Sequence, residues 1–285
     1  MSKRIGVVGC GLMGSGIAEV CARAGLEVVV IESNQDALEL GSKRIQSSLA
    51  RALKSNRISE QQMEDAKQKL EFTPDFERLS DRDMVIEAAT ESEPVKIDIF
   101  KKIDKEVKSE SAILASNTSS IPIMKLAMAT SRPESVIGIH FFNPVPVLPL
   151  VELVRSLLTS TQCEESAYDF AANTLGKTVI RSKDRAGFIV NALLIPYILS
   201  AIRMFESGFA SAEDIDTGMI QGCAHPMGPL ALADLIGLDT TAAVAQSLYE
   251  EFKEPLYAPP PLLSRMCEAG LLGRKSGRGF YNYSG

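Results

Sequence analysis

In the first half of the chain, short apolar runs alternate with longer, more polar, helix-like stretches. The runs are Ile5–Val8, Val28–Ile31, Met84–Ala88, Ala112–Ala115 and Val136–Ile139, each bounded by polar or turn residues. Near-continuous Val/Ile runs without polar alternation suit strands buried on both faces, as in a parallel sheet covered by helices. The alternation therefore predicts a doubly wound α/β domain. Residues 36–70 are polar and exceed what one crossover helix requires, which predicts a helical hairpin turning near Ser55–Ser59 and projecting from the sheet. From Gly187 onward strand signals stop, and helix-length apolar segments follow at Gly187–Phe205, Leu230–Phe252 and Leu262–Glu268. The expected organisation is an α/β domain over 1–184 and an all-helical domain over 185–285, with Arg181–Gly187 as linker. No internal repeat or low-complexity tract interrupts it.

Composition narrows the function classes. With 285 residues, 45% hydrophobic and 23% charged, two soluble globular domains are the natural reading. A net charge of −6 argues against nucleic-acid or anionic-membrane partners. An anionic ligand then needs a local basic patch or helix N-termini. The five cysteines contain no C-x-x-C pair, which favours reduced thiols over a disulfide framework. The chain enters its first strand without an apolar leader, and its longest apolar stretch, Gly187–Ile202, is broken by Asn191 and Pro196. The expected location is cytoplasmic.

Between the first apolar run and an Ala-rich helical segment, Ser15–Ala24, lies Gly9-Cys-Gly11-Leu12-Met13-Gly14. A lone G-x-G-x-x-G is weak; here a strand precedes it, a helix follows, and Glu32 ends the next strand 18 residues after Gly14. Gly9 permits the tight turn, Gly11 lets the backbone approach a pyrophosphate, and Gly14 lets helix and strand pack closely. The diphosphate of a dinucleotide then meets free N–H groups at the helix N-terminus. Glu32 suits the adenine ribose hydroxyls and repels a 2′-phosphate, favouring NAD over NADP. The fold class is thus a Rossmann-type doubly wound sheet followed by a helical domain.

The chain has two histidines, His140 and His225. His140 closes the run Val136–Ile139, at the carboxyl end where open α/β sheets present ligands. Twelve residues on, Glu152 stands as a lone carboxylate among Val and Leu, costly unless partnered. An imidazolium is a natural partner, which such a carboxylate orients and stabilises. Spacing alone does not separate this pairing from a core histidine that only hydrogen-bonds. Ser116–Ser120 is a hydroxyl cluster after a buried-looking run, suited to a site or to capping a Pro122–Met128 helix. Asn191 is either a functional amide or one that specifies helix packing. His225, in a Pro/Gly turn, reads as structural. No histidine or cysteine spacing fits a metal site, and no G-x-S-x-G elbow supports a hydrolase.

Together these stretches resemble the L-3-hydroxyacyl-CoA dehydrogenase family, nearest its bacterial four-carbon branch. The resemblance is carried by the fingerprint, Ser116-Asn-Thr-Ser-Ser120, His140-Phe-Phe-Asn-Pro-Val-Pro146, Glu152-Leu-Val, Gly187-Phe-Ile-Val-Asn191, His225-Pro-Met-Gly-Pro229 and Gly273-Arg-Lys-Ser-Gly-Arg-Gly-Phe-Tyr281. It implies His140 as catalytic acid/base, Glu152 as its carboxylate, and Ser119 and Asn191 as holders of the substrate's 3-oxygen. It implies NAD contacts at Glu91, Lys96, Asn143 and Lys275, beside Gly9, Gly11, Leu12, Met13, Gly14 and Glu32. Ser48 falls at a CoA-contacting position, and Lys54 approximates a second one, displaced by one residue. The resemblance further implies an acyl-CoA thioester substrate, the 3-hydroxybutyryl-CoA/acetoacetyl-CoA pair first, and a homodimer built on the apolar Gly187–Ile202 helix. From the residues alone, Lys43, Arg44, Arg51, Lys54 and Arg57 form either a phosphate-meeting face or a solvated one.

Overall fold

The computed structural model describes residues 4–284. They form two compact units, one ending at Arg185 and the other starting at Ala186. In the first, the chain order is β1 (Arg4–Val8), α1 (Leu12–Arg23), β2 (Glu27–Ile31), α2 (Gln35–Lys54), α3 (Glu60–Gln68), β3 (Leu70–Thr73), β4 (Met84–Glu87), α4 (Glu93–Glu106), β5 (Ile113–Ser116), α5 (Ile123–Ala127), β6 (Val136–Phe141), β7 (Leu150–Arg155), α6 (Thr161–Asp169) and β8 (Thr178–Lys183). One eight-stranded sheet results, in the order β3-β2-β1-β4-β5-β6-β7-β8. Neighbours are parallel except β6 and β7, which run antiparallel. The first six strands thus form a doubly wound sheet, whose ligands lie beyond the strands' carboxyl ends where the order reverses at β1 and β4.

The five expected strands are present because their Val/Ile runs are buried on both faces. Three more were not expected. β3 and β8 lie at the sheet edges, half-exposed, and carry mixed polar residues. Glu152 interrupts the apolar run of β7. β8 also takes in Arg181–Lys183, so the expected linker begins as strand.

The hairpin turns where expected, with Ser59 and Gln62 forming a reciprocal cap at the start of α3. It does not project freely. Leu38, Gly41, Ile45 and Leu49, at helical spacing, bury one stripe of α2. Ile45 and Leu49 join the core that holds Ile17, Ala18 and Cys21 of α1. A side chain at Gly41 would collide with Cys10, so glycine lets α2 close onto the fingerprint turn.

The second unit holds α7 (Val190–Glu206), α8 (Ala212–Cys223), α9 (Pro229–Ile236), α10 (Leu238–Phe252) and α11 (Pro261–Glu268). The expected 230–252 helix is two helices, because Gly237 adopts φ +103° between them. α8 was not expected, since two glycines thin its apolar stripe. Within its unit α7 buries the face bearing Ile195, Ile198, Leu199, Ala201 and Ile202. The C-terminal segment is tied down by buried carboxylates. Asp234 accepts from the Phe280 and Tyr281 N–H groups and the Tyr283 hydroxyl. Asp216 accepts from Leu230 and Ala231 N–H and the Tyr281 hydroxyl. Replacing Asp234 by Ala strands three donors and is expected to destabilise the second unit by about 3 kcal/mol. Urea unfolding measures this, and a loss below about 0.5 kcal/mol would contradict the anchoring role.

Among the described residues no helix is long and apolar enough to cross a membrane, and no His/Cys/Asp/Glu group can hold a metal ion.

Candidate active site

The turn between β1 and α1 requires its glycines. Gly9 has φ +96°, and a Cβ there would lie 2.7 Å from the Ala88 carbonyl atoms. A Cβ at Gly14 would run into the Gly9 carbonyl oxygen. Gly11 has nothing within 4 Å of its Cβ direction, so backbone there is open to a close-lying ligand. As N-cap of α1, Gly11 has no side chain to occupy the first-turn N–H groups, which suit an anion. Leu12 is 63% exposed at this turn, and Met13 packs on the core. Glu32, just past β2, accepts from Cys10 N–H at 2.7 Å and Ser33 N–H at 2.9 Å, holding a carboxylate beside the turn. These features fit a dinucleotide with its diphosphate on the helix end and a ribose hydroxyl pair at Glu32.

His140 and Glu152 meet because β6 and β7 are antiparallel and in register, His140 directly opposite Glu152. Directly opposed residues point to the same face. His140 Nδ1 lies 2.8 Å from Glu152 Oε2, with the histidine 6% and the glutamate 0% exposed. An ionised Glu152 can only accept, which casts Nδ1 as the donor of this bond and leaves Nε2 as the ring's other nitrogen. The Phe142 ring stands 4.6 Å away, centroid to centroid. Asn117, after β5, accepts from Phe141 N–H at 2.9 Å and so ties the serine-rich segment to the strand that bears the histidine.

A second buried network lies at the carboxyl ends of β4 and β5. Lys96 Nζ, 1% exposed, is 2.6 Å from Glu87 Oε1 and 3.3 Å from Glu91 Oε2. Glu87, wholly buried, also accepts from the Ser116 hydroxyl and Ala89 N–H. Glu91 accepts from the Thr118 hydroxyl at 2.6 Å, Ser119 N–H at 2.9 Å and the Ser120 hydroxyl at 3.0 Å. Burial works to raise the Glu91 pKa, but the Lys96 ammonium and these hydrogen bonds outweigh it and hold the carboxyl below its ordinary range. The structure therefore brings Glu91, Lys96 and Ser119 together, and Lys96 is engaged as a buried counter-charge. Glu87 escaped sequence reasoning. A lone carboxylate inside the apolar run Met84–Ala88 was the available signal, the same one that marked Glu152.

Ser48 and Asn143 line a hollow of about 340 Å³ that also takes in Leu12 and Ser15. The Ser48 hydroxyl is offered to Glu19, whose carboxyl is pushed up by burial. Lys54 is exposed in the last turn of α2 and does not line this hollow. Asn191 and Lys275 belong to the second unit: Asn191 is half-buried in the first turn of α7, and Lys275 pairs with Asp239 at 2.5 Å. His225 meets the Tyr197 hydroxyl at 3.1 Å.

Comparison with known proteins agrees with this arrangement. The profile of the 3-hydroxyacyl-CoA dehydrogenase NAD binding domain matches residues 4–185, and that of the C-terminal domain matches 187–283. A 3-hydroxybutyryl-CoA dehydrogenase of Mycobacterium tuberculosis is 57% identical over 281 residues, 99% of this chain and 98% of that one. The crystal structure of M. tuberculosis FadB2 superposes with a TM-score of 0.98 at 57% identity, covering 99% of both chains. That of the (S)-3-hydroxybutyryl-CoA dehydrogenase PaaH1 from Ralstonia eutropha gives 0.93 at 47% identity, covering 100% of both. With both domains matched in order, this chain belongs to the 3-hydroxyacyl-CoA dehydrogenase family.

Proposed function

We propose that the chain is an NAD-dependent (S)-3-hydroxyacyl-CoA dehydrogenase whose preferred pair is 3-hydroxybutyryl-CoA and acetoacetyl-CoA. The observation that carries the catalytic part is the buried His140–Glu152 pair, joined by a 2.8 Å hydrogen bond at the sheet's ligand-binding end. NAD, when bound on the fingerprint, supplies the hydride acceptor for oxidation and, reduced, the donor for the reverse reaction. In oxidation His140 takes the proton from the substrate's 3-hydroxyl through Nε2. In reduction the imidazolium returns it to the 3-oxygen. Glu152, fixed on Nδ1, holds the ring's tautomer and balances its positive charge. Ser119 and Asn191 are assigned to the 3-oxygen and its surroundings on the family resemblance. Glu32 favours NAD over NADP, because its carboxylate accepts from ribose hydroxyls and repels a 2′-phosphate.

The test follows absorbance at 340 nm with acetoacetyl-CoA, with NADH and NADPH in parallel. NADH oxidation several-fold faster than NADPH oxidation is expected, with rates falling from C4 toward C16 thioesters. No turnover on any thioester overturns the reading, and a maximum at long chains overturns the four-carbon preference.

We further propose a cytoplasmic homodimer. All five cysteines are free thiols, as a reducing compartment keeps them. Leu193 at 74%, Met204 at 42% and Phe209 at 78% exposure leave apolar side chains uncovered within the second unit, as a subunit interface would use. Light scattering that returns the monomer mass at micromolar concentration would refute the dimer.

A further inference from the structure

One ammonium is buried between two carboxylates where β4 ends. Lys96 Nζ meets Glu87 Oε1 at 2.6 Å, Glu91 Oε2 at 3.3 Å and the Ala89 carbonyl at 3.4 Å. Three oxygens match the three N–H donors of an ammonium. Glu87 in turn meets donors alone. Ala89 N–H reaches the oxygen that holds Lys96, and the Ser116 hydroxyl reaches the other at 2.6 Å. Such surroundings suit an ionised carboxylate, which only accepts. Burial by itself raises the Glu91 carboxyl, yet Lys96 and the Thr118 and Ser120 hydroxyls hold it low, so it is ionised as well. Two negative charges against one positive leave the cluster with a net negative charge. Packing gives no reason for the second carboxylate: one suffices for an ion pair, and an apolar side chain at 87 would avoid the cost of burying another charge.

The position of this surplus is informative. Across the sheet, the neighbouring strands run β2, β1, β4, β5, β6. Glu32 follows β2, the fingerprint turn follows β1, Glu87 closes β4, Ser116 closes β5, and His140 lies in β6. A dinucleotide lies across the point where the strand order reverses, one half on each side. With the ribose hydroxyls at Glu32 and the diphosphate at the fingerprint, the nicotinamide half belongs on the β4–β5 side, toward His140. That ring is positive when oxidised and neutral when reduced, so a fixed negative charge nearby distinguishes the two states.

We propose that Glu87 sets a preference of this site for the oxidised coenzyme: by pairing with Lys96 it leaves the Glu91 charge uncompensated on the nicotinamide side of the crevice. Wholly buried, Glu87 touches neither coenzyme nor substrate and is a positioning residue that acts through Lys96. A neutral side chain at 87 would let Lys96 cancel Glu91 instead. By binding the positive ring better, the cluster shifts the bound couple toward its oxidised state and makes the reduced ring the readier hydride donor. The inference rests on NAD binding and needs no thioester.

The test is Glu87→Gln in the full chain, which keeps side-chain volume and removes one negative charge. Dissociation constants are measured without acyl substrate, for NADH by fluorescence titration and for oxidised NAD by calorimetry. The ratio of the oxidised to the reduced constant is expected to rise roughly five- to tenfold, the order of one partly screened unit-charge interaction. The double variant Glu87→Gln/Lys96→Gln exchanges the ion pair for an amide pair and restores the net charge, so its ratio returns to within about twofold of the parental value. A packing role weakens both coenzyme states alike. An unchanged ratio in the single variant, or a double variant whose ratio stays with the single, overturns the proposal. Should Glu87→Gln not fold, Glu91→Gln removes the same charge from a side chain that is 35% exposed, and its ratio must rise likewise. An unchanged ratio there overturns the proposal too. A chain that binds both coenzyme states but reduces no thioester ends the dehydrogenase reading, and the ratio still decides the role of Glu87.

Discussion

A His140→Gln variant is expected to lose 10²–10⁴-fold in kcat for acetoacetyl-CoA reduction, on the order that general acid–base catalysis contributes. Glutamine at 140 can still offer an amide N–H to Glu152, so the buried carboxylate keeps a donor and the strand pair keeps its register. What it lacks is a second ring nitrogen to release and recover a proton. The fingerprint turn, Glu32 and the first turn of α1 are built without His140, so NADH affinity by fluorescence titration should stay within about twofold. A variant that retains more than a tenth of parental kcat would remove His140 from the chemistry. One that loses NADH binding instead would make it a structural residue.

The second large effect is expected at Glu152. Glu152→Gln removes a wholly buried negative charge from the imidazole while keeping side-chain volume. A neutral amide can present either oxygen or NH₂ to Nδ1, so the ring loses its enforced tautomer and its counter-charge. A fall in kcat of roughly 10²–10³-fold follows, with KM for NADH little changed. Because Glu152 acts through His140, the two effects should not add. The double variant should be no slower than His140→Gln alone within about threefold. Additive losses would mean that the carboxylate contacts substrate or cofactor independently. Thermal unfolding separates a third possibility: Glu152→Leu leaves the histidine buried beside an apolar group, so a large drop in melting temperature shared by Gln and Leu variants would assign a packing role.

Much of the site's composition could be read along the chain. The fingerprint glycines are constrained locally, by one turn whose backbone conformation and close packing exclude side chains at Gly9 and Gly14. His140 and Glu152 each stood out for a local reason, one ending an apolar run and the other being a charge inside one. Glu87 carried the same mark as Glu152 and was passed over, because a carboxylate ending a strand also reads as an ordinary boundary. Its buried partner, Lys96, sits in a helix nine residues away, and nothing in local patterning joins the two. The serine cluster was legible as polar, yet its organisation around the Glu91 carboxylate was not, since 27 residues and a helix separate Thr118 from Glu91.

By itself the sequence determined the doubly wound half, the helical half, the dinucleotide turn and the residue types available for proton transfer. Those follow from periodicity, burial and backbone sterics, which act over a few residues. The tertiary structure decided which distant groups meet. The reversal of β7 against β6 sets position 140 opposite 152, and a slip of one residue would turn the carboxylate to the other face of the sheet. The closing of α2 onto α1 set Lys43, Arg44 and Arg51 along the hollow beside the fingerprint turn and left Lys54 outside it. Such pairings depend on strand direction, register and helix packing, and those are settled by burial of the whole core.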